Sequence, residues 1–176
     1  MAHDVFISYS SVDKPTADAV CGHLEKAGVR CWIAPRDALG GAHWAASIVE
    51  AIRGCRVMVV VFSSHADRSR QVMQEVERAV HNGLVVLPFR IEDVRPTAGM
   101  ELFLSAPHWL DALTPPLEAH IDVLVTTVRR LLGEPVAEAP PSPVVPRRFV
   151  EVPPHTFDRR PGLLGRIRSF FDPPDG

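Results

Sequence analysis

Short apolar runs alternate with segments whose apolar positions recur every three or four residues. DVFISYS (4–10) and VRCWIA (29–34) predict two short strands. Between them Ala17, Val20, Cys21, Leu24 and Ala27 share one helical face, with Asp13 placed to cap the start and Gly28 to stop the end. PRDALGGAH (35–43) is a loop, and Trp44, Ile48, Ile52 and Cys55 mark a second helix. RVMVVVF (56–62) predicts a strand apolar on both faces. A polar loop then leads into a helix with Val72, Val76, Ala79 and Val80 inward. GLVVLPFRI (83–91) predicts a fourth strand and PHWLDA (107–112) contains a short fifth. In the closing helix, residues 116–133, Ile121, Leu124, Val125, Val128 and Leu132 lie on one side.

Strand–helix alternation with fully apolar central strands predicts a parallel sheet covered on both faces. With right-handed crossovers, five strands give a flavodoxin-like doubly wound α/β sheet of order 2-1-3-4-5. Ligands of such sheets bind outside the carboxyl ends of the strands, near the topological switch. Three loops emerge there, residues 8–13, 34–43 and 63–70, and function is expected in them.

Composition changes near Gly133: residues 134–176 hold ten of the 17 prolines. That density predicts an extended linker. The expected organisation is a folded domain over 1–133, a Pro-rich linker over 134–160 and a short basic amphipathic segment over 161–176. In that last segment Leu163, Leu164, Ile167, Phe170 and Phe171 share a side, with Arg159, Arg160, Arg166 and Arg168 around it. It suits docking on an effector or other partner protein, or on its own domain, better than contact with a membrane.

A net charge of −2 gives no global field for nucleic acid, which is not expected as a partner. Cys21, Cys31 and Cys55 form no CxxC and the eight histidines lack ligand spacing, so neither a disulfide framework nor a metal site is expected. The first ten residues do not read as a signal peptide, and the longest apolar run, Val57 to Phe62, is far below the ~20 residues of a membrane span. A cytoplasmic location is the expectation.

Neither GxxxxGK[ST] nor GxGxxG follows a strand, and GxSxG is absent. SYSS and FSS stand where a phosphoacceptor receiver would need its acidic residues. There remain hydroxyls, the Arg36–Asp37 pair and the carboxylates Glu75 and Glu77. Around a stripe of Val72, Val76, Ala79 and Val80, at ~100° per residue, Glu75 and Glu77 both fall on the flanks, roughly 90° and 110° from its centre. Periodicity alone does not choose between them.

DVFISYSSVD, GVRCWIAPRDALGGAHW with SIVEAIRGCRVMVVVFS, and then S…S…EVERA together resemble a Toll/interleukin-1 receptor (TIR) domain of the bacterial type, over about residues 2–132. Relatives often carry a serine after the third strand, a second six residues on, and a glutamate six further. Ser63, Ser69 and Glu75 match that spacing. The resemblance implies that Glu75 is the catalytic residue of an NAD+ glycohydrolase or ADP-ribosyl cyclase. It also implies that Ser10, Ser11, Arg36, Asp37, Leu39 and Ser69 shape the nucleotide pocket; the alternatives are a helix-start turn for Ser10 and Ser11 and a mutual surface ion pair for Arg36 and Asp37. Trp44 is expected to pack the loop after the second strand onto the sheet edge, and Trp32 to lie in the core. NAD+ would be a substrate, with no other cofactor, and self-association would complete the pocket. Relatives of this kind serve antiphage defence. The alternative is a non-catalytic TIR scaffold that binds other TIR domains or imitates host signalling adaptors. Two departures stand out: Gln71 where many relatives carry an aromatic before the catalytic helix, and Gly40-Gly41 in place of a Pro-Gly pair.

Overall fold

A computed structural model describes residues 3–37, 43–105 and 109–133. Five parallel strands form one sheet of order β2-β1-β3-β4-β5, as the alternating pattern predicts. The strands are β1 (Val5–Ser8), β2 (Cys31–Ile33), β3 (Val57–Phe62), β4 (Val85–Arg90) and β5 (Leu110–Asp111). The helices are α1 (Lys14–Lys26), α2 (Trp44–Gly54), α3 (Ser64–Arg68), α4 (Arg70–His81), α5 (Ala98–Leu104) and α6 (Leu117–Leu131).

The two-residue side-chain period divides the sheet into two cores. Val5 and Ile7 of β1 and Val57, Val59 and Val61 of β3 pack with Val20, Leu24, Ile121, Leu124 and Val128 of α1 and α6. Phe6, Met58, Val60 and Phe62 face the other way, against Ile48, Ile52, Val72, Val76 and Met100 of α2, α4 and α5. β3 is buried at all six positions, which is why its sequence shows no alternation. Pro88 is tolerated inside β4 because β5 is too short to reach it: the ladder between them joins only Phe89 to Leu110 and Arg90 to Asp111.

Several details differ from the sequence expectations. β1, β2 and β4 are shorter, and part of the expected loop after β3 is the helix α3. Asp13 makes no capping bond; it is buried and accepts a hydrogen bond from the Ser63 hydroxyl at 2.6 Å. Val80 does not face inward but is 42% exposed. All three cysteines are buried and free. The expectations for residues 134–176 and for Leu39 and Gly40-Gly41 lie outside the described residues. Among the described residues no helix is long and apolar enough to cross a membrane.

Candidate active site

Removing Val80 from the α4 stripe re-aims the helix. The centre of Val72, Val76 and Ala79 then lies about 65° from Glu75 and about 135° from Glu77, at 100° per residue. The structure follows: Glu75 is 6% exposed, and Glu77 is exposed. Ser8, at the carboxyl end of β1, shares parity with Phe6 and so points to the α4 face. Its hydroxyl donates to Glu75 Oε2 at 2.6 Å, and Gln71 Nε2, one turn earlier on α4, donates to Oε1 at 3.0 Å. Burial pushes the Glu75 carboxyl above its ordinary range, and these two hydrogen bonds oppose that rise without cancelling it.

Glu75 forms part of the wall of a cavity of about 180 Å³ at the strand ends. Tyr9, Ser11, Trp32, Trp44 and Gln71 are among its other lining residues. The Tyr9 hydroxyl donates to the Ala34 carbonyl, tying the turn after β1 to the turn after β2. Trp32 is buried and stacked on Phe6, ring centroids 4.6 Å apart. Trp44 opens α2 and is 37% exposed; residues 38–42 of the loop it is expected to anchor lie outside the described residues.

The other sequence candidates are distributed as follows. Ser11 lines the cavity, whereas Ser10 stands half-buried at the head of a 3₁₀ turn, its carbonyl accepting the Asp13 N–H at 2.8 Å. Ser63 and Ser69 cap helices: the Ser63 hydroxyl accepts the N–H groups of His65 and Ala66, and that of Ser69 accepts the N–H of Val72. The six-residue spacing therefore fixes where α4 begins, which puts Glu75 in its second turn. Arg36 points elsewhere. Its guanidinium pairs with Asp37 and Glu25, each at 2.8 Å, donates to the Cys31 carbonyl, and borders a separate hollow with His3 and Arg30. Asp37 also accepts the Ile33 N–H at 2.8 Å; burial works against its ionisation, but the hydrogen bonds from Arg36 and Ile33 outweigh it and hold the carboxyl below its usual range. Among the described residues no cluster of His, Cys, Asp or Glu is arranged to hold a metal ion.

Sequence reasoning missed Ser8 and Tyr9. Ser8 was detectable in principle, since a lone hydroxyl in register with Phe6 must face α4.

A doubly wound α/β domain with a hydrogen-bonded, buried carboxylate at its topological switch is the class defined by fold and site. The chain belongs to the TIR domain family, whose profile matches residues 5–125. It is similar to the TIR domain of the Toll-related receptor TRR-2 from Hydra magnipapillata, at 20% identity and TM-score 0.61, covering 72% of this chain and 98% of that one. The TIR domains of the activated Roq1 resistosome, which directly recognises the pathogen effector XopQ, align at 16% identity and TM-score 0.60, over 72% of this chain and 99% of that one. The CMP N-glycosidase BcmB of Clostridium botulinum aligns at 12% identity and TM-score 0.50, over 68% and 97%. At these identities the likeness is one of fold. No curated protein matches the chain significantly in sequence.

Proposed function

We propose that this domain cleaves the nicotinamide–ribose bond of NAD+, giving nicotinamide and ADP-ribose or a cyclic isomer. The observation that carries the proposal is Glu75, a carboxylate buried at the wall of a strand-end cavity and held by Ser8 and Gln71. Heterolysis sends the bonding pair to the pyridinium nitrogen, so nicotinamide leaves neutral and no general acid is needed. Positive charge develops on the ribose, and a fixed carboxylate stabilises it, as in glycoside hydrolysis. Water then adds at C1″ and releases a proton, or a purine nitrogen of the same molecule closes a ring. BcmB, a protein of similar fold, is by its name an N-glycosidase acting on CMP, which is support by fold analogy.

The cavity, about 180 Å³, is below the ~300–1,000 Å³ of typical ligand pockets and suits only one end of a dinucleotide. Self-association, in which a neighbouring copy covers the remainder, is part of the proposal. The output would be NAD+ depletion or a nucleotide messenger in antiphage defence. The rival is a non-catalytic TIR scaffold, favoured by Gln71 standing where the resemblance expects an aromatic.

Nicotinamide release by the assembled wild type, Glu75→Gln and Glu77→Gln separates the two. Catalysis predicts a loss of about 10²–10³-fold for Glu75→Gln, the scale of removing one electrostatic contact to a transition state, and little change for Glu77→Gln. Equal release from wild type and Glu75→Gln, or none from an assembled wild type, would support the scaffold.

A further inference from the structure

A second hollow, about 120 Å³, lies between α2 and α4. Ile48, Val49 and Ile52 of α2 and Gln74 and Arg78 of α4 contribute to its walls. Trp44, Gln71 and Glu75 line this hollow and the Glu75 cavity alike, so the two are neighbours across those side chains. Trp44 is exposed, and exposed side chains change rotamer within picoseconds to nanoseconds. Neither hollow reaches the ~300 Å³ at which small-molecule pockets begin, but joined they reach it.

The chemistry along the groove is graded. Near Glu75 stands an indole with an apolar wall behind it. Gln71 donates its amide N–H to Glu75, which leaves its carbonyl oxygen as an acceptor. Gln74 adds a second carboxamide three residues on, where helix neighbours share a side. Arg78 follows; among the described residues no carboxylate forms an ion pair with it. From Gln71 to Arg78 the helix advances about 10 Å at 1.5 Å per residue. Below, a wider opening shares Gln74 and Arg78 and adds Arg53 and His81, with Glu77 as its one acidic wall residue.

We propose that the α2–α4 groove is a second nucleotide subsite. It takes a planar base stacked on Trp44 against Ile48 and Val49, with the Gln71 and Gln74 carboxamides at the base edge and Arg78 on the attached phosphate. The assignment extends the NAD+ reading, giving the adenylate half of the substrate a place outside the Glu75 cavity.

The test is titration of AMP and of adenosine into the ¹⁵N- and methyl-labelled full chain. Expected shifts are at the Trp44 indole N–H and the Ile48 and Val49 methyls. Base stacking on an aromatic side chain predicts about 10- to 100-fold weaker AMP binding in Trp44→Ala. Arg78→Gln, an exposed position where folding is not at stake, should abolish the preference for AMP over adenosine. Glu118→Gln, on the opposite face, should bind as wild type. Unmoved groove resonances, shifts confined to Tyr9 and Ser11, or wild-type AMP affinity in both variants would each overturn the subsite. These readouts need no turnover, so a protein that binds AMP here yet releases no nicotinamide would defeat the catalytic reading and leave the groove standing.

Discussion

Ser8 tests the electrostatic design of the site most directly. It is 1% exposed, and its hydroxyl lies 2.6 Å from Glu75 Oε2. Burial already raises the Glu75 carboxyl, and this hydrogen bond is the larger of the two contacts resisting the rise. Hydrogen bonds to charged groups contribute about 1.5–3 kcal/mol. One pH unit corresponds to about 1.4 kcal/mol, so Ser8→Ala should move the Glu75 ionisation midpoint upward by about 1–2 pH units. Gln71→Ala should move it less, because Gln71 is exposed and water can replace its amide. A ¹³C NMR titration of the Glu75 carboxyl reads the midpoint directly, and the pH profile of nicotinamide release reads its consequence. The acid limb should shift to higher pH with the NMR midpoint, while the rate on the alkaline side, where Glu75 is ionised in both proteins, changes little. A folded Ser8→Ala protein with an unmoved midpoint would refute the electrostatic argument. A midpoint that moves without the acid limb would show that the reaction does not depend on the charge of Glu75.

Further outcomes follow from the same contacts. Because the folded-state pKa of Glu75 is raised, its stabilising contribution is complete below the unfolded value of about 4.3 and is lost as pH rises through the folded value. Urea midpoints should therefore favour Glu75→Gln over wild type increasingly from acid to neutral pH; a constant difference would contradict the argument that burial disfavours the charged carboxylate. Phe62→Ala, fully buried and edge-on to Trp109, should cost about 3–5 kcal/mol by urea denaturation. Arg36→Ala should cost no more than about 1 kcal/mol, since its guanidinium is near half exposed and its ion pairs are screened. If a neighbouring copy completes the pocket, nicotinamide release per subunit should rise with protein concentration; a constant value across a wide dilution series would count against assembly.

The fold was legible because burial on two faces leaves a clear signature. A run such as VMVVVF fits a central parallel strand, and the order 2-1-3-4-5 follows once crossovers are right-handed. The candidate site was less legible, for reasons located in single residues. Val80 is apolar yet exposed, and counting it inward rotated the α4 stripe toward Glu77 and blurred the two glutamates. Ser8 sits inside an apolar strand, where only register with Phe6 reveals its direction. Arg36 and Asp37 are adjacent in sequence to the cavity's turn, but which way a turn projects its guanidinium depends on a distant partner, here Glu25 of α1. Trp44 opens α2 beside the cavity and is 37% exposed, which the apolar spacing of Trp44, Ile48 and Ile52 does not reveal.

The burial of Glu75 is the strongest physical reason to look for chemistry at this cavity. An ionised carboxylate withdrawn from water is destabilising unless fully compensated, and an apolar side chain of similar size on the flank of the α4 stripe would avoid the penalty. Glu75 has two neutral donors and, among the described residues, no cationic partner, so compensation is partial and the raised pKa reflects the shortfall. Contrast Asp13 and Asp67, also buried: one accepts a hydroxyl from a helix-capping serine and the other the N–H and hydroxyl of Thr97, so both join chain segments together. Glu75 joins β1 to α4 as well, but it does so at the wall of a cavity, with an anionic charge that a cationic ribose centre would relieve. A partly compensated carboxylate at the wall of a strand-end cavity is therefore a functional-site candidate with a stated physical rationale.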